Sequence, residues 1–251
     1  MKLCVAQTRP VKGDISANIT HHKKLIDLAI GMGADTIIFP ELSITGYEPE
    51  LAHVLATNKD DAQFTVFQQI SDAKNITIGI GVPTKSFSGI SITMVLFQPN
   101  KPRETYSKRY LHSSEEPFFV RGKSSVETIG AAKNIALAIC YEISVPEHAA
   151  NASKLGADIY IASIVEDGVD KALVKLSNIA QKYKMTVLMA NCVGQSGAYL
   201  CEGKTSIFNN QGALLGQLDG DNEGILMIDM ATQTVVSKYI SASEQAMALK
   251  K

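Results

Sequence analysis

The chain lacks an excess of charge of either sign and any long apolar run. Its 251 residues carry 24 basic and 25 acidic side chains, for a formal net charge of -1 at pH 7. Nucleic-acid binders usually present a basic patch or stripe, so we expect no nucleic-acid partner. The longest apolar run, 135–141, is far shorter than the roughly 20 residues that a helix needs to cross a bilayer. We therefore expect no membrane association.

Targeting and disulfide signals are also missing. Segment 1–9 has neither the apolar stretch nor the small-residue cleavage site of a secretory signal. The four cysteines, Cys4, Cys140, Cys192 and Cys201, form no CxxC pair and are too scattered for a disulfide framework. We expect free thiols, mostly buried, and a cytoplasmic protein.

Metal and cofactor signatures are absent from the sequence as well. No histidines, cysteines or carboxylates have metal-ligand spacing, and the glycines, such as Gly79 and Gly81, form neither a dinucleotide-binding nor a phosphate-binding loop. We expect neither a metal nor a cofactor. Only four arginines occur, which offers few bidentate partners for a substrate carboxylate and disfavours amino-acid-like substrates.

What the sequence does contain is an alternation of short apolar runs and helical patterns. With 45% hydrophobic residues and no linker or low-complexity segment, it predicts a single domain over residues 1–251. Strands are predicted at 3–7, 36–39, 76–82, 91–97, 104–108, 134–139, 159–161, 186–190, 205–208, 224–229 and 235–239, and helices at 16–30, 61–73, 145–155 and 170–183. For the helix at 145–155, Ser144 and Glu147 match a capping box with Ser144 as the N-cap.

This number of strands indicates two sheets. About a dozen strands and four helices are too much strand for one doubly wound sheet. The phrase Gly-Ala-Asp before an apolar run occurs at 33–35 and again at 156–158, which suggests a unit shared by two halves. We predict an α/β fold of four layers, an α-β-β-α sandwich of two mixed sheets flanked by helices.

Three polar residues come at or just beyond the ends of predicted strands. These are Glu41, Lys108 and Cys140, and open α/β sheets place their sites at such positions. Taken singly, the carboxylate could cap a helix, the lysine could be solvated and the cysteine could belong to the core. Together they supply a base, a cation and a nucleophile, the groups needed for nucleophilic acyl transfer.

The segments around these residues resemble the carbon-nitrogen hydrolase, or nitrilase, superfamily over nearly the whole chain. Its three motifs occur in order at 39–47 (FPELSITGY), 106–111 (YSKRYL) and 140–147 (CYEISVPE). Shorter supporting matches occur at 79–83, 190–194 and 206–208. The resemblance implies the sandwich fold, a cofactor-independent hydrolase of a non-peptide C–N bond, and a homodimer or higher oligomer.

The resemblance also implies a Glu-Lys-Cys triad, here Glu41, Lys108 and Cys140. A second family carboxylate maps to Glu115, with the adjacent Glu116 as the alternative. In these roles Glu41 is a general base whose pKa is raised by burial, and Cys140 forms a thioester. The backbone N–H of Tyr141 would be an oxyanion donor beside Lys108. The substrate-pocket candidates are Tyr47, Glu116, Glu142, Val165 and Glu166.

Among C–N bonds, a small amide is the expected substrate, with a carbamoyl amide or a nitrile as the alternative. A papain-like Cys/His hydrolase would instead use His112 or His148, the histidines nearest the motifs. A non-catalytic reading is a thiol-sensing or binding scaffold. Segment 241–251 could form a short helix that packs on a partner subunit.

Overall fold

The structure is a computed structural model and describes residues 1–123, 127–130 and 134–240. In chain order the strands are β1 (Lys2–Gln7), β2 (Thr36–Ile38), β3 (Thr77–Ser86), β4 (Gly89–Phe97), β5 (Glu104–Ser107), β6 (Thr128–Ile129), β7 (Ile135–Ile139), β8 (Ile159–Ser163), β9 (Thr186–Ala190), β10 (Val193–Ser196), β11 (Tyr199–Glu202), β12 (Ser206–Phe208), β13 (Leu214–Gln217), β14 (Gly224–Asp229) and β15 (Thr234–Tyr239). The helices are α1 (Ile15–Gly31), α2 (Ala52–Leu55), α3 (Thr65–Lys74), α4 (Pro146–Lys154) and α5 (Val169–Tyr183), with 3-10 turns at Pro49–Leu51, Ala62–Phe64 and Cys140–Ser144. The tail at 241–251, with its predicted helix, lies outside the described residues.

Two mixed sheets lie face to face. The first has the strand order β15-β14-β1-β2-β3-β4-β5, and the second has the order β13-β12-β9-β8-β7-β6. Apolar side chains from both sheets, such as Leu3 and Leu137, form the central core. A second cluster joins the first sheet to α1 and α3, and a third joins the second sheet to α4 and α5. The predicted α-β-β-α sandwich is confirmed.

The repeated Gly-Ala-Asp sequence ends a helix in each half of the chain. Gly33 and Gly156 both have positive φ, at 76° and 83°. The next residue in each case, Ala34 or Ala157, donates its N–H to a carbonyl five residues back. This is the Schellman arrangement, in which glycine at the left-handed position ends a helix. It feeds the chain into β2 in one half and into β8 in the other.

Several local features differ from the sequence prediction. Helix α3 begins at Thr65, after a 3-10 turn, and not at 61. The short helix α2 and the hairpin β10-β11 were not predicted, because elements of four residues are too short to show a period. The capping box was wrong: the 3-10 turn continues to Ser144, so the N-cap is Val145, and it has no side-chain cap. Within the described residues, no helix is long and apolar enough to cross a membrane.

Candidate active site

Three strand ends from the two sheets meet at one point. Strands β2 and β5 of the first sheet lead to Glu41 and Lys108, and β7 of the second leads to Cys140. The Nζ atom of Lys108 lies 2.7 Å from Oε1 of Glu41 and 2.6 Å from Oε1 of Glu115. All three of these side chains are at most 2% exposed. The lysine therefore sits between two carboxylates, out of contact with bulk water.

Glu115 is held in place from two further sides. The hydroxyl of Tyr47 donates to its Oε1 at 3.0 Å, and the backbone N–H of His112 donates to its Oε2 at 2.8 Å. The adjacent Glu116 is exposed to solvent. The structure therefore brings Glu115, and not Glu116, beside Lys108.

Cys140 has an unusual backbone conformation. Its φ of 43° lies in the left-handed region, which residues other than glycine rarely adopt and which often accompanies functional sites. Its Sγ atom lies 3.7 Å from the carbonyl oxygen of Val165. Cys140 is partly exposed, whereas Cys4, Cys192 and Cys201 are buried. Of the four thiols, the one at the strand end is thus open to a ligand.

The buried charges alter the pKa of each group. Burial raises the pKa of Glu41 to about 7, assisted by the charge of Glu115 and opposed by that of Lys108. Burial favours the neutral form of Lys108, but the charges of Glu41, Cys140 and Glu115 outweigh this and raise its pKa. Burial, followed by the Glu41 charge, raises the pKa of Cys140 well above its usual value. The cluster therefore favours a neutral thiol beside a lysine cation.

One hydrogen-bond acceptor in this cluster has no donor from the described part of the chain. The Oε2 atom of Glu41 is buried and has no hydrogen-bond partner among the described residues. The Cys140 thiol nevertheless lowers the pKa of the Glu41 carboxyl as a hydrogen-bonding neighbour. The Glu41 carboxylate thus has a free lone pair close to the thiol, as a general base requires.

A cavity of about 330 Å³ opens over Cys140. Three of the predicted pocket residues, Tyr47, Val165 and Glu166, line it together with Glu115. The cavity also has lining residues that the pocket prediction did not include, namely His112, Tyr141, Ile143, Ser144, Lys175 and Tyr199. A cavity of this size suits a small ligand.

Tyr199 enters the site because the hairpin β10-β11 docks on the Tyr47 segment. The ring centroids of Tyr47 and Tyr199 are 5.4 Å apart, in an edge-to-face arrangement. The backbone N–H of Tyr47 donates to Oγ of Ser196 at 2.8 Å, and that of Gly197 donates to Oε1 of Glu48 at 3.0 Å. Because this contact is distant in sequence, no local pattern could have revealed it.

The segment that carries Val165 is held by Asn191. The side chain of Asn191 accepts the N–H of Glu166 at 3.2 Å and donates to the carbonyl of Gly203 at 2.9 Å. Asn191 is fully buried. The sequence could have indicated Asn191 only through its position in the supporting motif at 190–194. Its hydrogen bonds in the structure show that it fixes the loop that faces Cys140.

Two predicted pocket residues lie elsewhere. Glu116 is exposed and Glu142 is fully buried, and neither lines the cavity. The Oε1 atom of Glu142 accepts the N–H of Arg109 at 2.7 Å. Its Oε2 atom accepts the N–H of Ile139 and the hydroxyl of Tyr106, both at 2.8 Å. Glu142 thus ties the residue after Lys108 to the residue before Cys140.

The histidines do not form a pair with Cys140. The two ring nitrogens of His148 contact the hydroxyls of Tyr106 at 2.6 Å and Tyr160 at 2.8 Å. Burial lowers the pKa of His148. His112 lines the cavity, but its Nδ1 contacts Oγ of Ser114 at 2.8 Å. In the ranges that the structure describes, no group of histidine, cysteine or carboxylate side chains is arranged to hold a metal ion.

Known proteins with the same fold include an amidase. A Cys-to-Ala mutant of the amidase from Nesterenkonia sp. AN1, in complex with butyramide, superposes with a TM-score of 0.83 at 21% identity, covering 93% of this chain and 92% of that one. A Glu-to-Gln mutant of the same amidase, showing covalent addition of the acetamide moiety of fluoroacetamide at the active site cysteine, also has a TM-score of 0.83, at 22% identity, covering 92% of this chain and 90% of that one. At these identities, the likeness establishes the fold.

Curated relatives match this chain over part of their own length. A glutamine-dependent NAD(+) synthetase from Acinetobacter baylyi is 24% identical over 86% of this chain, and an (R)-stereoselective amidase from Pseudomonas sp. is 24% identical over 65%. The matches span only 41% and 60% of those proteins. The model of the carbon-nitrogen hydrolase family, in contrast, matches residues 2–238. The chain therefore belongs to the carbon-nitrogen hydrolase family.

Proposed function

We propose that this enzyme hydrolyses the C–N bond of a small amide through a thioester on Cys140. The observation that carries the proposal is the buried cluster of Glu41 and Lys108 beside Cys140, which itself lines the cavity, with Oε2 of Glu41 free to accept a proton. Glu41, Lys108, Cys140 and Glu115 are the proposed catalytic residues.

The first step forms the thioester. Because burial keeps the Cys140 thiol neutral, its proton must leave as Sγ attacks the substrate carbonyl carbon. Glu41 accepts that proton, and its pKa of about 7 suits a base that works near neutral pH. The C=O electron pair moves to oxygen, which gives a tetrahedral oxyanion.

Two donors are available for that oxyanion. Lys108 has three N–H bonds, of which two are directed to carboxylates, so one remains for the substrate oxygen. The backbone N–H of Tyr141 lies in the first turn after β7, where amides have no partner within the turn. One such donor contributes about 3 kcal/mol to the transition state in other hydrolases.

Collapse of the oxyanion then breaks the C–N bond. Protonated Glu41 returns its proton to the leaving nitrogen, so ammonia or an amine departs and an acyl thioester remains on Cys140. Glu41, again ionised, takes a proton from water as the water attacks the thioester. As this second intermediate collapses, the C–S bond breaks and Glu41 returns the proton to the departing sulfur, so the products are a carboxylic acid and the free thiol.

Glu115 supports this cycle from behind Lys108. It fixes the ammonium at 2.6 Å, and its negative charge raises the pKa of Glu41. Without that charge, Lys108 would hold Glu41 more firmly as a carboxylate and weaken it as a base. Tyr47, Val165 and Glu166 are proposed to contact the substrate, because they line the cavity.

The test compares two cysteine variants on an amide panel. Cys140→Ala is expected to abolish ammonia release from acetamide, propionamide and butyramide, whereas Cys192→Ala, a buried matched control, retains it. Intact-mass measurement on the wild-type protein, quenched during turnover, is expected to show an acyl adduct on Cys140. Unchanged turnover in Cys140→Ala would refute the proposal. Nitriles and N-carbamoyl compounds in the same panel test the alternative substrates.

We further propose that the protein is a cytoplasmic homodimer. The two copies would associate through helices that follow the Glu41 and Cys140 strands, and the groove between α4 and α5, lined by Ile143, Ala149 and Ile179, is available for this. Light scattering after size-exclusion chromatography is expected to give twice the 27.0 kDa chain mass. The mass of a single chain would refute the proposed homodimer.

A further inference from the structure

A second cavity, of about 570 Å³, lies at the edge of the first sheet formed by β3, β4 and β5. Ser91 and Ser107 contribute to its lining. Side chains alternate along a strand, so Ser107 faces away from its neighbours Tyr106 and Lys108. The sheet therefore separates this cavity from the catalytic one.

Basic side chains surround this cavity. Lys59, Lys85, Arg121 and Lys123 line it, against a single acidic residue, Asp60. Asp60 is already paired with Lys59, at 2.9 Å. The other three cations form no ion pair with any described residue. In a chain with a net charge of -1, this is a local positive field that attracts an anion.

The floor of the cavity is rich in hydroxyl groups. Oγ1 of Thr93 lies 2.6 Å from Oγ1 of Thr84 and 2.9 Å from Oγ of Ser107, which forms a continuous chain of hydroxyls. Ser91 is only 4% exposed and contributes to the lining of the cavity. A hydroxyl at this position can donate to an acceptor oxygen of a ligand in the cavity.

The cations are anchored to this floor. Gly122, between Arg121 and Lys123, donates its N–H to the carbonyl of Lys108 at 2.8 Å. A Cβ atom at Gly122 would lie 2.2 Å from Cβ of Ser107, so the chain can approach this closely only because the residue is glycine. The backbone that carries the two cations is thus packed directly on strand β5.

We propose that this cavity binds a small phosphorylated ligand. A phosphoryl group offers several strongly accepting oxygens and about two negative charges, which match the basic side chains and the hydroxyl groups that line the cavity. Phe87, fully exposed at the turn between β3 and β4, also lines the cavity and offers an apolar surface to the organic part of such a ligand. The site is independent of the proposed amide hydrolysis.

Isothermal titration calorimetry with pyrophosphate and with glucose 6-phosphate, at constant ionic strength, tests the proposal. The wild-type protein is expected to bind at least one of them saturably, at one site per chain. The double variant Lys85→Gln/Arg121→Gln should weaken binding at least tenfold, and Ser91→Ala about threefold. The control Lys23→Gln/Lys238→Gln removes two exposed charges elsewhere and should leave the dissociation constant unchanged.

Amide turnover in each variant reports that the protein is folded, because none of these residues belongs to the catalytic cluster. Three results would overturn the proposal. They are no saturable binding of either phosphate compound, equal affinity in the wild type and the Lys85/Arg121 variant, and tighter binding of a hexaglutamate peptide, which would indicate an acidic protein partner.

Discussion

Two buried carboxylates flank the strand end at Lys108, and they differ in how fully their oxygens are bonded. Both oxygens of Glu142 accept hydrogen bonds, from two backbone amides and a tyrosine hydroxyl. The Oε1 atom of Glu41 accepts a hydrogen bond from Lys108, whereas its Oε2 atom accepts none from a described residue. Glu142 faces away from the catalytic cavity, whereas Glu41 meets the nucleophile.

This difference distinguishes a carboxylate that fixes the geometry of the site, Glu142, from one that can take part in the proposed proton transfer, Glu41. A carboxylate whose acceptors are all used has no lone pair left for a moving proton, but it fixes every segment that it contacts. An under-bonded carboxylate in a dry site has a raised pKa, here about 7, and can exchange a proton near neutral pH. In the proposed mechanism Glu142 positions Lys108 and Cys140, and Glu41 transfers the proton.

The largest contrast between the two is expected in the rate of amide hydrolysis. Glu41→Gln should lower kcat by about 10²- to 10⁴-fold, the usual contribution of a general acid-base group, because an amide cannot accept the thiol proton. Steady-state ammonia release measures this. Glu142→Gln is the matched control, and an equal loss of kcat in the two variants would contradict the division of roles.

A smaller effect is expected from the carboxylate behind Lys108. Glu115→Gln should lower kcat about tenfold or more, because it removes a charge that lies against the ammonium and raises the pKa of Glu41. The neighbouring Glu116→Gln removes the same charge from the surface, and its kcat should stay within about twofold of wild type, since surface charges contribute little. Comparable losses in both would show that the buried position is irrelevant.

Glu142→Gln should act mainly on stability. Its amide group can accept on one side only, so either the N–H of Arg109 or the donors from Tyr106 and Ile139 lose their partner. We expect a loss of about 1–3 kcal/mol in the free energy of unfolding. Urea denaturation measures it, and Glu147→Gln, in the first turn of α4, controls for the loss of a carboxylate nearby. A stability equal to that of wild type would remove Glu142 from its positioning role.

A further effect, on stability alone, is the pH dependence that Glu41 introduces. Its pKa is about 7 when folded, against an ordinary value of 4.5. Between these values the folded state binds more protons than the unfolded state, so the free energy of unfolding falls as the pH rises from about 4.5 to 7. Denaturation across this range should show a shallower fall in Glu41→Gln. An identical slope in the variant would contradict the raised pKa.

The sequence identified the candidate catalytic residues better than it identified the residues that position them. Glu41, Lys108 and Cys140 stood out because each followed an apolar strand pattern within a motif, and strand ends meet in such folds. Glu142 was misjudged as a pocket residue because it is close to Cys140 in sequence. The intervening 3-10 turn directs its side chain to the amides behind the site, and this rotation depends on a φ that sequence patterns do not encode.

The remaining sequence predictions failed where contacts between distant parts of the chain determine the structure. Tyr199 reaches the cavity through a four-residue strand that docks on Tyr47, about 150 residues earlier in the chain. Ser144 looked like a helix cap because Ser144 and Glu147 have the spacing of a capping box, but its hydroxyl accepts a hydrogen bond from Lys175 at 2.8 Å instead. In both cases a tertiary contact decided the outcome.

The most direct test of the account is the pH profile of Cys140 alkylation by iodoacetamide. In the wild-type protein the rate at Cys140, followed by peptide mass spectrometry, should rise as the pH passes through about 7, because ionised Glu41 takes the thiol proton. Glu142→Gln should keep this transition, and Glu41→Gln should lose it. A transition near pH 7 that persists in Glu41→Gln would contradict the assignment of Glu41 as the base.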